Sequence, residues 1–187
     1  MTADMRGSAL VALALGTLLT GCATAYSRGQ EALREGRYEA AAHEFEAAAA
    51  SSGKPLDALT ALGIAWYKLG DFARARDTLR GVLAEDPKRG EARFYVALAE
   101  LGQHEDAQAL EDLEALRPLI GHPRIAAAVD RAMVAIREGL SEPARRLLAA
   151  GLDDTLEWAR EVRDARRHAY SFDPWPIYRG LYHPHLR

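Results

Sequence analysis

A glycine with an alanine five residues after it occurs four times along this chain: Gly36 and Ala41, Gly70 and Ala75, Gly102 and Ala107, Gly139 and Ala144. The glycines stand 34, 32 and 37 residues apart. In the first two copies an aromatic residue, Tyr38 or Phe72, follows two positions after the glycine; His104 and Ser141 hold that place in the others. A period of this length marks a small unit that cannot bury its own apolar face and must stack on its neighbours. The expected fold is an array of such units.

Composition says what the units are made of. Hydrophobic residues are 49% of the 187, swollen by alanine rather than valine and isoleucine. Alanine is the best helix former because it loses no side-chain entropy on ordering. The expectation is an all-α protein with small-residue packing. The formal net charge is −3, with both signs interspersed. A nucleic-acid binder would show a clustered basic face, so none is expected. One cysteine excludes an internal disulfide framework and any cysteine-based zinc cluster.

The second unit is the most complete: Leu62, Gly63, Trp66, Gly70, Phe72, Ala75, Leu79, Val82 and Pro87. Gly63 and Ala75 let two helices approach closely. Trp66 and Phe72 fill the space between them. Gly70 permits a tight turn, where positive φ costs little for glycine. Pro87 ends the second helix. The first unit has Gly29 in its first helix and Phe45 and Ala48 in its second. The third departs. Its first helix, near Arg89 to Leu101, comes out about two residues short in this register, and Glu111 and Glu114 stand where apolar residues belong. An alternative stripe, Leu110, Leu113, Leu116 and Ile120, keeps helical spacing. The fourth unit reads as Ile125 to Arg137 and then Pro143 to Ala150, with proline suited to a first helical turn. A ninth helix is expected over Asp153 to Ala169, with Trp158, Val162, Ala165 and Ala169 on one face.

These residues resemble the tetratricopeptide repeat family over Tyr26 to Gly151. The resemblance implies a right-handed α-solenoid of about four helix–turn–helix repeats (26–151), a capping helix (152–169) and an aromatic, proline-rich tail (170–187). It also implies a concave groove, lined by the first helix of each repeat, that holds a peptide from a protein partner. Groove positions carried over from the two firm repeats are Tyr26, Gln30, Leu33 and Arg34, then Thr60, Ile64, Tyr67 and Lys68. The competing reading of each is an ordinary solvated helix face.

The N-terminus carries a second resemblance. Ala9 to Leu15, continuing through Gly16 to Leu19, is an uncharged apolar run. It is too short to span a bilayer, which needs roughly 20 apolar residues, and suits a signal peptide (1–21). Arg6 precedes it, opposed by Asp4; a start at Met5 would give a cleaner basic region than one at Met1. The run ends in Leu19-Thr20-Gly21-Cys22. This resembles the lipobox of bacterial lipoproteins. That implies lipidation of Cys22, removal of the preceding peptide, and a lipid anchor in the cell envelope, on the periplasmic face of the outer membrane. The expected linker is 22–25.

The tail holds Tyr170, Phe172, Trp175, Tyr178 and Tyr182, with Pro174, Pro176 and Pro184. It is too aromatic for a solvated linker. It is expected to cover the last repeats; as the alternative, Trp175 and Tyr178 contact a partner. His183 and His185 are too few for a closed zinc site, so no metal and no cofactor beyond the covalent lipid is expected. Arg160, Arg163 and Arg167 alternate with Glu157, Glu161 and Asp164, which suggests surface ion pairs. No Gly-rich phosphate loop, GxSxG or HExxH is present, and no enzyme is expected. Together the two resemblances imply a membrane-anchored scaffold or adaptor in assembly of a pilus, secretion or outer-membrane machine. The alternatives are a regulator of a peptidoglycan-active enzyme, an unrecognised cell-wall enzyme, or a stack that associates with itself.

Overall fold

A computed structural model describes residues 24–51 and 55–171, with side chains through Ala165. The apolar N-terminal run, Cys22, and the tail with Trp175, Tyr178, His183 and His185 lie outside the described residues. Among the described residues the chain is all-α, with eight helices and no strand. They fall in two compact units, one through Asp71 and one from Phe72.

The first unit holds α1 (Ala25–Arg34), α2 (Tyr38–Ser51) and α3 (Pro55–Lys68). Thr24 caps α1 by accepting a hydrogen bond from the Ser27 N–H, which satisfies one of the free donors of the first turn. α2 packs against both α1 and α3. Its Phe45 ring is fully buried among Ala32, Ala41, Ala42, Ala61 and Ala65. The close approach of α1 depends on Gly29: a Cβ there would sit 2.7 Å from two carbons of the Phe45 ring.

The second unit holds α4 (Phe72–Glu85), α5 (Gly90–Gly102), α6 (Asp106–Leu116), a 3-10 turn (Arg117–Leu119), α7 (Pro123–Glu138) and α8 (Glu142–Ser171). Successive helices pack on one another, and α8 also returns to pack on α5.

The turns correct the repeat register. α1 ends with Gly36 at φ 73° and the Arg37 N–H donating to the Ala32 carbonyl at 2.8 Å. α3 ends the same way, with Gly70 at φ 78° and Asp71 donating to Trp66. This is a Schellman motif, whose left-handed residue satisfies the last helical carbonyls. At the end of α5 the left-handed residue is His104, φ 64°, with Glu105 donating to Glu100. Position 104 follows Gly70 by the same interval that separates Gly70 from Gly36. The counterpart of Gly70 is therefore His104 and not Gly102. A left-handed conformation at a residue with a Cβ costs about 1–2 kcal/mol, so spacing of glycines alone mislaid the turn.

The two-residue shift removes the irregularities of repeat three. Ala41, Ala75 and Ala109 are each completely buried, and so are Phe45, Leu79 and Leu113. Ala48, Val82 and Leu116 complete the stripe. Glu111 and Glu114 are exposed, while Leu110 and Ile120 are half-buried, Ile120 lying beyond the helix. α5 is not short.

The expected fourth-repeat second helix and ninth helix are one continuous α8 of 30 residues. Gly151 does not break it. A glycine inside a helix costs about 1 kcal/mol relative to alanine, less than the roughly 1.5–3 kcal/mol that burial of the neighbouring Leu152 returns. A Cβ at Gly151 would meet nothing within 4 Å. Gly151→Ala is accordingly expected to raise stability by about 0.5–1 kcal/mol, measured by chemical denaturation. A helix break at this position would give no gain.

Candidate functional site

α1 and α3 lie in contact in the first unit, and they carry all eight of the described candidate residues. Tyr26 is half-buried, its ring 5.7 Å from that of Phe45 and tilted 57° to it. Its hydroxyl accepts a hydrogen bond from Gln30 Nε2 at 3.0 Å. One end of Tyr26 thus belongs to the core and the other ties down the next turn of α1. Leu33 packs on the same core. Arg34 is exposed and ion-paired with Glu31.

On α3 the candidates divide. Thr60 and Ile64 are both only 4% exposed, and the Thr60 hydroxyl donates to the Leu56 carbonyl at 2.6 Å. Tyr67 and Lys68 are half-buried. In the corrected register Tyr26 matches Thr60, Gln30 matches Ile64, Leu33 matches Tyr67 and Arg34 matches Lys68. The accessible groups of this face are therefore the Gln30 amide and the Arg34 and Lys68 cations, beside the half-buried Tyr26 and Tyr67 rings.

The matching positions on α5 are Phe94, Leu98, Leu101 and Gly102, and the first three are buried. α8 packs on this helix. The Tyr95 hydroxyl donates to Asp153 Oδ1 at 2.9 Å in a fully buried bond. Burial raises the Tyr95 phenol well above its usual value, so it stays a neutral donor. Arg160 reaches over from α8, its Nε 2.8 Å from Glu91 Oε1 and its Nη1 3.1 Å from the Tyr95 oxygen. Its guanidinium carbon lies 5.3 Å from the Tyr95 ring centre, within cation–π range. Where a surface ion pair is expected, Arg160 instead joins α8 to α5. Arg163 is exposed, and the side chain of Arg167 is outside the described residues. Trp158 turns instead to the start of α7, with the Arg124 guanidinium 4.0 Å from its ring centre and His122 edge-on.

A third junction holds the first turn of α8 to the first turn of α6. Arg145, 12% exposed, donates to both oxygens of Asp106 at 2.8 and 2.7 Å and to Glu142 at 2.9 Å. A two-pronged guanidinium–carboxylate pair is among the stronger polar contacts available. It holds the Asp106 carboxyl below its usual value. Sequence reasoning missed Arg145, Asp153 and Asp106 because each is one charged residue among many on a helix face. Among the described residues, no group of three His, Cys, Asp or Glu is placed to hold a metal ion.

Two overlapping stretches, residues 26–89 and 60–123, match the model of the tetratricopeptide repeat. Together they cover just over half of the chain. The protein belongs to the tetratricopeptide repeat family. No curated protein matches the chain. The match to the family stops where α7 begins. There the packing also changes, since α8 lies on α5 as well as on α7. Tetratricopeptide repeats typically act as non-catalytic interaction scaffolds, and membership of the family implies protein partners.

Proposed function

We propose that this tetratricopeptide repeat protein is a bacterial lipoprotein, anchored through Cys22, that holds a partner of the cell envelope on the face of α1 and α3. The observation that carries the reading is the position of α1. Its cap is Thr24, two residues after Cys22 in the lipobox-like sequence. Even fully extended, this link spans roughly 10 Å or less. A lipid on Cys22 would hold the first repeat at the bilayer surface, and the accessible rim of Tyr26, Gln30 and Arg34 would work there. One acyl chain gives reversible membrane attachment, and more than one makes it stable.

The test is expression of the full chain in bacteria fed labelled palmitate, followed by fractionation. Label is expected in the wild type, in the membrane fraction, and absent from Cys22→Ser, which should move to the soluble fraction. An unlabelled wild type found with the soluble proteins would refute the anchor. Inserting about ten Gly/Ser residues after Ala23, roughly 30 Å of added reach, is expected to impair function by lifting the rim away from the membrane.

A further inference from the structure

The corrected register places Ala32, Trp66 and Glu100 at equivalent points on α1, α3 and α5. Ala32 is in the core of the first unit and Trp66 packs against it. The position is an interior one, and two repeats fill it with apolar surface. The third puts a carboxylate there that is 1% exposed. The fold does not require a charge at this place.

Charged groups from three helices surround it. Arg80 on α4 donates through the same nitrogen, Nη2, to Glu100 Oε1 at 2.6 Å and to Asp112 Oδ2 at 2.5 Å. Arg93 on α5 donates to Asp112 Oδ1 at 2.7 Å and to the Pro87 carbonyl at 3.3 Å. Arg76, one turn before Arg80, is held by Glu105 and Asp77. Asp112 is nearly as buried as Glu100. The second oxygen of Glu100, Oε2, is buried with no hydrogen-bond partner, as is Arg93 Nε.

Two buried carboxylates thus meet on one nitrogen of a guanidinium that is itself nearly half exposed. A like charge so close makes the buried Glu100 carboxyl hold a proton more readily. A proton on Glu100 also gives this buried carboxyl a donor, where Oε2 otherwise has no partner. We propose that this cluster is a proton-linked joint: the α4–α5–α6 junction is closed while Glu100 carries a proton, and it loosens when that proton leaves to solvent.

Burial is the largest influence on Glu100; the Arg80 hydrogen bond opposes it and the Asp112 charge adds to it, and the carboxyl is pushed up to about 7. The folded value lies above the unfolded one. The stabilising contribution is therefore full below the ordinary carboxylate range and is lost as pH rises through about 7. Between the two values the folding equilibrium falls roughly tenfold per pH unit for one such group. The joint is independent of lipidation and of any partner.

The direct test is a titration of the Glu100 side-chain carboxyl carbon by NMR in the full-length protein. A midpoint near neutrality is expected, moving down in Asp112→Asn. Denaturation of the second unit from about pH 5 to about pH 8 should show stability falling with pH in the wild type and a flat profile in Glu100→Gln. An ordinary carboxylate midpoint for Glu100, or a Glu100→Gln variant with the wild-type pH slope, would overturn the proposal. If that variant does not fold, the wild-type titration decides by itself.

Discussion

Phe45→Ala is expected to destabilise the first unit by about 3–5 kcal/mol. The ring is fully buried, and the residues around it are mostly alanines: Ala32, Ala41, Ala42, Ala61 and Ala65. Alanines have no side-chain freedom with which to close a cavity, so the hole would stay open and the cost should lie toward the upper end. Gly29 makes the same point from the other side, since α1 rides directly on the ring. Removing the ring takes away the surface that positions both Tyr26 and α1. A domain has about 5–15 kcal/mol in hand, and three helices have less than most. Hydrogen exchange is the measurement. Amides of α1 to α3 are expected to lose protection while those of α5 and α6 keep theirs. A loss under about 1 kcal/mol would show that the alanine packing tolerates the void.

The second large effect is expected at Tyr95. Tyr95→Ala removes a fully buried ring, a donor to Asp153 and the aromatic face under Arg160. The expected cost is about 4 kcal/mol, from cavity and lost polar contact together. Tyr95→Phe separates the two: it keeps the ring and takes one donor from a mostly buried carboxylate, for about 1–3 kcal/mol. In that variant the part of α8 after Gly151 should exchange its amides faster while α6 is unchanged. Equal protection of α8 in wild type and variant would mean that apolar packing alone holds it on α5.

The sequence carries much of this fold, and the gaps have physical causes. Gly36 and Gly70 were legible because left-handed turns select glycine. His104 was not, because the backbone geometry repeated while the residue that marks it did not. That one substitution moved the whole third repeat by two residues and made Glu111 and Glu114 look misplaced. The continuity of α8 was hidden for the opposite reason. Gly151 and Pro143 look like punctuation, but a single glycine costs less than the packing around it supplies. On the candidate face, Tyr26 and Leu33 turn out to serve the core as well as the rim, and Thr60 and Ile64 are buried. Sequence alone treats a helix face as uniform, whereas burial sorts it residue by residue. The Glu100 cluster became visible through the register, once Glu100 fell on the place of Trp66.

In the proposed function a partner sits on the face of α1 and α3 while Cys22 holds that face to the membrane. A photo-crosslinking residue at Arg34, in the full chain and in intact cells, tests it most directly. One discrete protein adduct in the membrane fraction is expected, lost with Cys22→Ser and absent when the crosslinker is placed at exposed Arg131 on α7. No adduct at Arg34, or the same adduct from Arg131, would contradict the claim.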